Sequence, residues 1–140
     1  MHVLGEDLSD LKVLIAEDQC EVRSMLRNML MELGIHQVFE SSDGREALNF
    51  IDSAFDFVDL IICDWNMPKM NGVELLRQIR TVDPDIPFLM VTGRSDVQSV
   101  VEAKSSGVTG YISKPFSPQQ LEAKLRIILH RMAKQGVQAS

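Results

Sequence analysis

The residues best suited to chemistry in this sequence are carboxylates that directly follow short apolar segments. Asp64 follows residues 58–63, and the pair Glu17 and Asp18 follows residues 12–16. Short apolar segments rich in β-branched residues are typical of buried strands. Open α/β sheets keep their functional sites at the carboxyl ends of strands. We therefore expect these three carboxylates to meet at one edge of a sheet.

A hydroxyl and an amine follow two further apolar segments. Thr92 comes after residues 86–91, and Lys114 comes after residues 109–113. Carboxylates at close range favour either proton uptake or a bound cation, and hard oxygen ligands suit Mg²⁺. An aspartate can act as a nucleophile toward phosphorus, while Lys114 and Thr92 would stabilise the phosphoryl oxygens. The set predicts Mg²⁺-dependent transfer of a phosphoryl group to Asp64.

Amphipathic helical patterns alternate with the predicted strands. A weaker strand is expected over residues 37–41, and each strand is followed by apolar residues at helical spacing. Asp43, Asn71, Ser95 and Ser117 are expected N-caps. The predicted helices cover residues 19–33, 43–52, 71–82, 95–105 and 117–133.

Five strand–helix units in succession predict an α/β fold with a parallel sheet covered on both faces. The connections are expected to be right-handed. We divide the chain into an N-terminal extension at residues 1–11, one domain at residues 12–133 and a polar C-terminal tail at residues 134–140. The tail is expected to fray.

Composition excludes several classes of protein. The chain has 140 residues, of which 45% are hydrophobic, and a formal net charge of −6. An acidic chain is a poor ligand for nucleic acid or anionic membranes, so we expect neither partner. We see neither a signal peptide nor an apolar segment long enough to span a membrane, and we expect a cytoplasmic protein. Cys20 and Cys63 are too far apart for a CxxC metal site, and Cys63 is expected to be a buried thiol.

Four motifs, taken in order, resemble the receiver domains of response regulators, and specifically the single-domain receivers of chemotaxis. The likeness extends from about residue 12 to residue 132. It implies a flavodoxin-like (βα)5 fold with a doubly wound, five-stranded parallel sheet in the order 2-1-3-4-5. The motifs are Glu17-Asp18, Asp64-Trp-Asn-Met-Pro-Lys-Met-Asn-Gly72, Val91-Thr92-Gly93 and Gly110-Tyr-Ile-Ser-Lys-Pro-Phe116.

The resemblance implies a role for each residue of the predicted site. Asp64 would be the phosphoacceptor, and Mg²⁺ would be held by Asp18, Asp64 and the backbone carbonyl of Asn66. Glu17 stands where an Asp is more usual and would reach the ion through water. Lys114 would contact the phosphoryl group and would precede a cis proline.

The resemblance also implies a switch and its partners. Thr92 and Tyr111 would form the switch pair, and Asn66 and Arg94 would tune the lifetime of the phosphoryl group. Phosphorylation would repack a partner face on the fourth helix, fifth strand and fifth helix. The change would be a population shift between two pre-existing packings of this face. Val100, Tyr111 and Lys124 match that face.

The phosphodonor would be a histidine kinase or a phosphotransfer protein, because the three histidines of this chain lie in no motif. The target would be a protein such as the flagellar motor switch, and a phosphatase would be a further partner. On this interpretation the chain is not an enzyme proper. It promotes its own phosphorylation and a slow dephosphorylation.

Three other hypotheses remain open at this point. The chain could serve as a phosphorelay intermediate or as the receiver of another two-component pathway. It could be a haloacid-dehalogenase-like phosphatase, although Asn66 stands where that family needs a second Asp. It could be a flavodoxin-like cofactor binder, although Glu17 and Asp18 would repel the phosphate of such a cofactor.

Overall fold

Five strands alternate with five helices in the part of the chain that the structure describes. The computed structural model describes residues 8–53 and 57–139, with side chains up to Arg131. The strands are β1 (Lys12–Ala16), β2 (Gln37–Ser41), β3 (Leu60–Asp64), β4 (Phe88–Thr92) and β5 (Gly110–Ser113). The helices are α1 (Cys20–Glu32), α2 (Gly44–Ser53), α3 (Gly72–Val82), α4 (Val97–Ser105) and α5 (Pro118–Ala139).

The strands form one parallel sheet in the order β2-β1-β3-β4-β5, which confirms the predicted order. The register aligns the carboxyl ends of neighbouring strands. Ala16 lies opposite Cys63, and Asp64 lies opposite Val91. Thr92 in turn lies opposite Ser113, the last residue of β5. The chemistry-bearing residues therefore reach one edge of the sheet, as the sequence predicts.

Alternate strand residues face two separate apolar layers, because side chains on a strand alternate in direction. One layer packs the sheet against α1 and α5, and contains Leu26, Leu30, Leu121 and Leu125. The other packs it against α2, α3 and α4. In that second layer α4 contributes only Ala103, and Ser99 is the other buried residue of this helix.

Most of the expected helix starts are confirmed. Asn71 caps α3 through a reciprocal capping box with Glu74, and Ser117 makes the same exchange with Gln120 at the start of α5. Asp43 accepts a hydrogen bond from the backbone N–H of Glu46 at 2.7 Å. Each side-chain oxygen satisfies a backbone donor that the first helical turn leaves unpaired.

The expected cap of the fourth helix is wrong by one residue. Asp96, and not Ser95, is the N-cap of α4. The Asp96 carboxylate accepts from both the backbone N–H and the hydroxyl of Ser99. A carboxylate offers two oxygens to the helix start where a serine offers one, which accounts for the shift.

Two described segments outside the main predicted domain are more ordered than the sequence suggests. Leu8 and Leu11, which we placed in the N-terminal extension, are buried in the layer beside α1 and α5. Helix α5 continues to Ala139, through the segment expected to fray. That segment contains Gly136 but lacks proline, and its Lys, Gln and Ala residues have good helix propensity. Residues 1–7 and Ser140 lie outside the described residues. Among the described helices, none combines the length and the hydropathy that a membrane span requires.

Candidate functional site

Three carboxylates meet at the carboxyl edge of the sheet. Asp64 is the last residue of β3, and Glu17 and Asp18 directly follow β1. One oxygen from each of Glu17, Asp18 and Asp64 lies within 4.8 Å of the other two. Glu17 and Asp64 are buried, whereas Asp18 is exposed. The pocket therefore opens to solvent on the side of Asp18.

Lys114 is the cation that faces this acidic cluster. Its Nζ lies 3.2 Å from Glu17 Oε1 and 3.5 Å from Asp64 Oδ1. The backbone N–H of Lys114 donates to the carbonyl of Thr92, and the Lys114–Pro115 peptide bond is cis. The end of β5 thus directs a positive charge at the carboxylate of β3, as expected from the sequence.

Burial disfavours the ionised forms of both inner carboxylates. It raises the pKa of Asp64, against the opposing effects of Lys114 and of the hydrogen bond from the Trp65 N–H. Burial likewise raises the pKa of Glu17, and the charge of Asp64 adds to the rise. A positive charge brought into the pocket therefore stabilises the ionised form of both carboxylates.

The two residues of the predicted switch are joined through Arg94. The Thr92 hydroxyl is fully buried and accepts a hydrogen bond from the Arg94 N–H at 3.1 Å. The Tyr111 hydroxyl donates to the Arg94 carbonyl. Tyr111 is half-buried, and burial raises the pKa of its phenol. The backbone at Arg94 therefore connects β4 to β5 beside the acidic pocket.

The side chain of Arg94 reaches the loop that follows Asp64. Its guanidinium lies over the ring of Trp65, with Cζ 4.9 Å from the centroid, and its Nη2 donates to Asn66 Oδ1 at 3.1 Å. The sequence singled out Asn66 and Arg94 separately but gave no signal of this contact with Trp65. A neighbouring aromatic and arginine become a pair only once the fold brings their loops together.

The residues present fit a small divalent cation. Glu17, Asp18 and Asp64 supply hard oxygen donors at a mutual separation that one ion can bridge. Asn66, whose backbone carbonyl is the third expected ligand, lies two residues after Asp64 in the chain. The cluster contains Asp18 and Asp64, two of the three ligands expected for Mg²⁺, together with Glu17, which is expected to reach the ion through water.

The expected partner face contains exposed apolar residues that the sequence analysis did not name. Val97 and Val101 of α4 are 78% and 57% exposed, whereas Val100, which we named, is half-buried. Tyr111 and Lys124 line one groove between β5 and α5. Apolar positions four residues apart on an exposed helix lie on one side of it, and this spacing is the signal that could have identified Val97 and Val101.

Comparison with known proteins identifies the family. The family model described as "Response regulator receiver domain" matches residues 13–126. The chain is 38% identical over 125 residues to the chemotaxis protein CheY of Pseudomonas aeruginosa, an alignment that covers 87% of this chain and 98% of the relative. It is 37% identical over 121 residues to the chemotaxis protein CheY1 of Helicobacter pylori, covering 85% and 97% respectively.

A solved structure supports the same family assignment. The structure of the Vibrio cholerae chemotaxis protein CheY4 superposes with a TM-score of 0.78 and 35% sequence identity, over 84% of this chain and 98% of that one. The sequence and structure comparisons thus agree with the family that the pocket residues indicate. The chain belongs to the response regulator receiver domains of two-component systems.

Proposed function

We propose that this receiver accepts a phosphoryl group on Asp64 from a phosphohistidine of a histidine kinase or phosphotransfer protein. Phosphorylation then controls the binding of a target protein in chemotaxis, such as the flagellar motor switch. The observation that carries the proposal is the meeting of Asp64 with Glu17, Asp18 and Lys114 at one edge of the sheet. Chemotaxis is favoured because relatives at 37% and 38% identity are chemotaxis proteins.

The surroundings of Asp64 suit one of its oxygens to act as the nucleophile. Oδ1 accepts a hydrogen bond from the Trp65 N–H at 2.8 Å and faces Lys114. Oδ2 accepts no hydrogen bond from any residue that the structure describes. Oδ2 attacks the phosphorus while the P–N bond breaks, and the donor imidazole leaves with that electron pair and takes a proton from water. The product is an acyl phosphate on Asp64.

The other residues of the pocket stabilise the transferred group. Lys114 pairs with the phosphoryl oxygens, and Thr92 donates its hydroxyl proton to one of them because its oxygen already accepts from Arg94. Asp18, Asp64 and the Asn66 carbonyl would hold Mg²⁺, with Glu17 acting through water. Once bound, this cation neutralises charge on the carboxylates and on the phosphoryl group.

The proposed output face is formed by α4, β5 and α5. When Thr92 turns toward the phosphoryl group, Tyr111 repacks into the space it leaves, and the surface near Val100 and Lys124 changes. Helix α4 suits such a change because it is anchored by the small side chains of Ser99 and Ala103. A helix with little buried apolar area moves at low cost in free energy.

The acceptor role can be tested with small phosphodonors. The protein is incubated with acetyl phosphate and Mg²⁺, and intact mass spectrometry measures the gain of one phosphoryl group. We expect the gain in the unmodified protein and in Asp85→Asn, an exposed aspartate at the opposite edge of the sheet. We expect none in Asp64→Asn or with a chelator present. Modification of Asp64→Asn to the same extent would refute the proposal.

The output can be tested with a purified flagellar motor-switch protein. Binding is measured with and without beryllofluoride and Mg²⁺, which stand in for the phosphoryl group. We expect at least tenfold tighter binding with beryllofluoride, since a coupling of about 1.4 kcal/mol corresponds to a factor of ten. Val101→Ser, at an exposed position of α4, should weaken the complex without changing modification of Asp64. Equal binding in both states would leave the phosphorelay intermediate, or a receiver of another pathway, as the better interpretation.

A further inference from the structure

The loop between β3 and α3 is pressed against the start of α2. A Cβ atom added to Gly44, the first residue of α2, would lie 2.2 Å from the carbonyl oxygen of Met70 and 2.7 Å from its Cβ. Neither distance is compatible with a side chain, and the nearer atom belongs to the backbone. Gly44 is therefore the point at which α2 accommodates the loop of residues 65–71.

The same loop is closed at its other end by Gly72. A Cβ there would lie 2.3 Å from the carbonyl oxygen of Asp64. The Gly72 N–H donates to the carbonyl of Trp65 at 2.7 Å. The loop thus returns to the residue from which it starts, and Asn66 lies inside the closed segment.

A side-chain contact reinforces the position of this loop. Lys69 has a φ of 68°, in the left-handed region that residues other than glycine rarely adopt. Its Nζ lies 3.6 Å from Oδ2 of Asp43. The other oxygen of Asp43 caps α2 through the Glu46 N–H. Asp43 therefore both caps the helix start and pairs with the lysine in the left-handed part of the loop.

We propose that the first turn of α2, formed by Asp43 and Gly44, is a positioning element for the backbone carbonyl of Asn66. The inference rests on the proposed function, in which that carbonyl is a ligand of Mg²⁺. A methyl group on Gly44 displaces Met70, and the displacement passes along the closed loop to Asn66. Mg²⁺ requires near-ideal octahedral geometry, so it is sensitive to such a shift. Asp43 and Gly44 themselves contact neither the cation nor the phosphoryl group.

The test is the affinity for Mg²⁺ alone, measured by calorimetry and by the emission of Trp65, the one tryptophan of the chain. We expect Gly44→Ala to raise the Kd for Mg²⁺ about tenfold, the size of effect that outer contacts have on metal sites. Gly93→Ala is the matched control, because nothing lies within 4 Å of its added Cβ. Its Kd should stay within twofold of that of the unmodified protein.

A second control separates positioning from loss of stability. Leu30→Ala removes a buried side chain of the opposite apolar layer, and should lower the unfolding midpoint without changing the Kd for Mg²⁺. If Gly44→Ala does not fold, Asp43→Ser keeps a helix cap while removing the partner of Lys69. This variant and Lys69→Met should each raise the Kd severalfold, and the double variant should raise it no further.

The outcomes distinguish the two proposals. Unchanged affinity in Gly44→Ala, or full additivity of the Asp43 and Lys69 variants, overturns the positioning role while leaving phosphorylation of Asp64 untouched. Failure of the unmodified protein to bind Mg²⁺ overturns the proposed function itself. A Leu30→Ala variant that loses affinity as much as Gly44→Ala shows that the effect is general destabilisation, and likewise overturns the positioning role.

Discussion

Lys114 and Glu17 form an ion pair across 97 positions of the sequence, with Nζ 3.2 Å from Oε1. The Glu17 side chain is only 1% exposed, whereas that of Lys114 is 26% exposed. The lysine therefore compensates the charge of a carboxylate that is almost fully buried by the protein. The same ammonium group faces Asp64, so it holds two like charges together in the pocket.

Removing this lysine should destabilise the metal-free protein. We expect Lys114→Met to lower the free energy of unfolding by about 1–3 kcal/mol, the cost of leaving a buried acceptor unsatisfied. The loss should shrink in saturating Mg²⁺, because the cation then compensates the same carboxylates. Urea unfolding with chelator and with Mg²⁺ measures both values. Lys104→Met, at an exposed lysine of α4, should change neither unfolding free energy. An equal loss of stability in Lys114→Met with chelator and with Mg²⁺ would contradict the explanation.

The contact between Arg94 and Trp65 should slow loss of the phosphoryl group. The Arg94 side chain covers the indole ring and donates to Asn66 Oδ1, and we expect these contacts to limit the access of water to Asp64. We expect Arg94→Met to hydrolyse the acyl phosphate about two- to fivefold faster, in line with an exposed cation–π contact of about 0.5–1 kcal/mol. The hydrolysis rate of Arg94→Lys should lie between those of the unmodified protein and Arg94→Met, because lysine keeps the charge but not the planar stack. Decay of the phosphorylated mass checks this, and slower decay in Arg94→Met would oppose it.

The phenol of Tyr111 should titrate above the ordinary value for tyrosine. Burial raises the pKa of this group, and the charge of Asp96 adds to the rise. A raised pKa in the folded state means that the protonated phenol stabilises the fold. This contribution is present below the unfolded pKa of about 10 and is lost as the pH rises through the folded pKa.

Tyr111 is the one tyrosine of the chain, so tyrosinate absorbance reports on it alone. The native midpoint should lie above the midpoint measured in urea. Above a pH of about 10, the unfolding free energy should fall more steeply in the unmodified protein than in Tyr111→Phe. Coincident native and unfolded midpoints would count against the burial of this phenol.

The two cysteines should react very differently. Cys20 is exposed, whereas Cys63 is buried in β3. Burial raises the pKa of the Cys63 thiol well above its usual range, and the charge of Asp64 adds to the rise. Since the thiolate is the reactive form, a thiol reagent should modify Cys20 alone in the native protein and both thiols in urea. Cys20→Ser should show no native reaction, and rapid labelling of that variant would contradict the burial of Cys63.

The sequence predicted the arrangement of the pocket because each of its residues follows an apolar strand. In a parallel sheet the carboxyl ends of the strands lie at one edge, so Asp64, Thr92 and Lys114 could be assigned to that edge from the residues alone. Their pairing across the sheet depends on strand order. That order came from the resemblance and not from the residues themselves.

Contacts between loops were beyond what the sequence could predict. The stack of Arg94 on Trp65 and the approach of Gly44 to Met70 depend on backbone positions that no local pattern encodes. The start of α4 was misplaced for a local reason, because Ser95 and Asp96 are both good caps and only the geometry selects between them.

Helix α4 is attached to the sheet by only two small buried side chains, which makes it suitable for engineering. Ser99 and Ala103 hold this helix to the sheet, whereas Val97 and Val101 contribute little to the interior. Substitutions at those two exposed positions can therefore create a binding surface for a new partner protein. The acidic pocket at the carboxyl edge of the sheet and the two apolar layers would both be left unchanged.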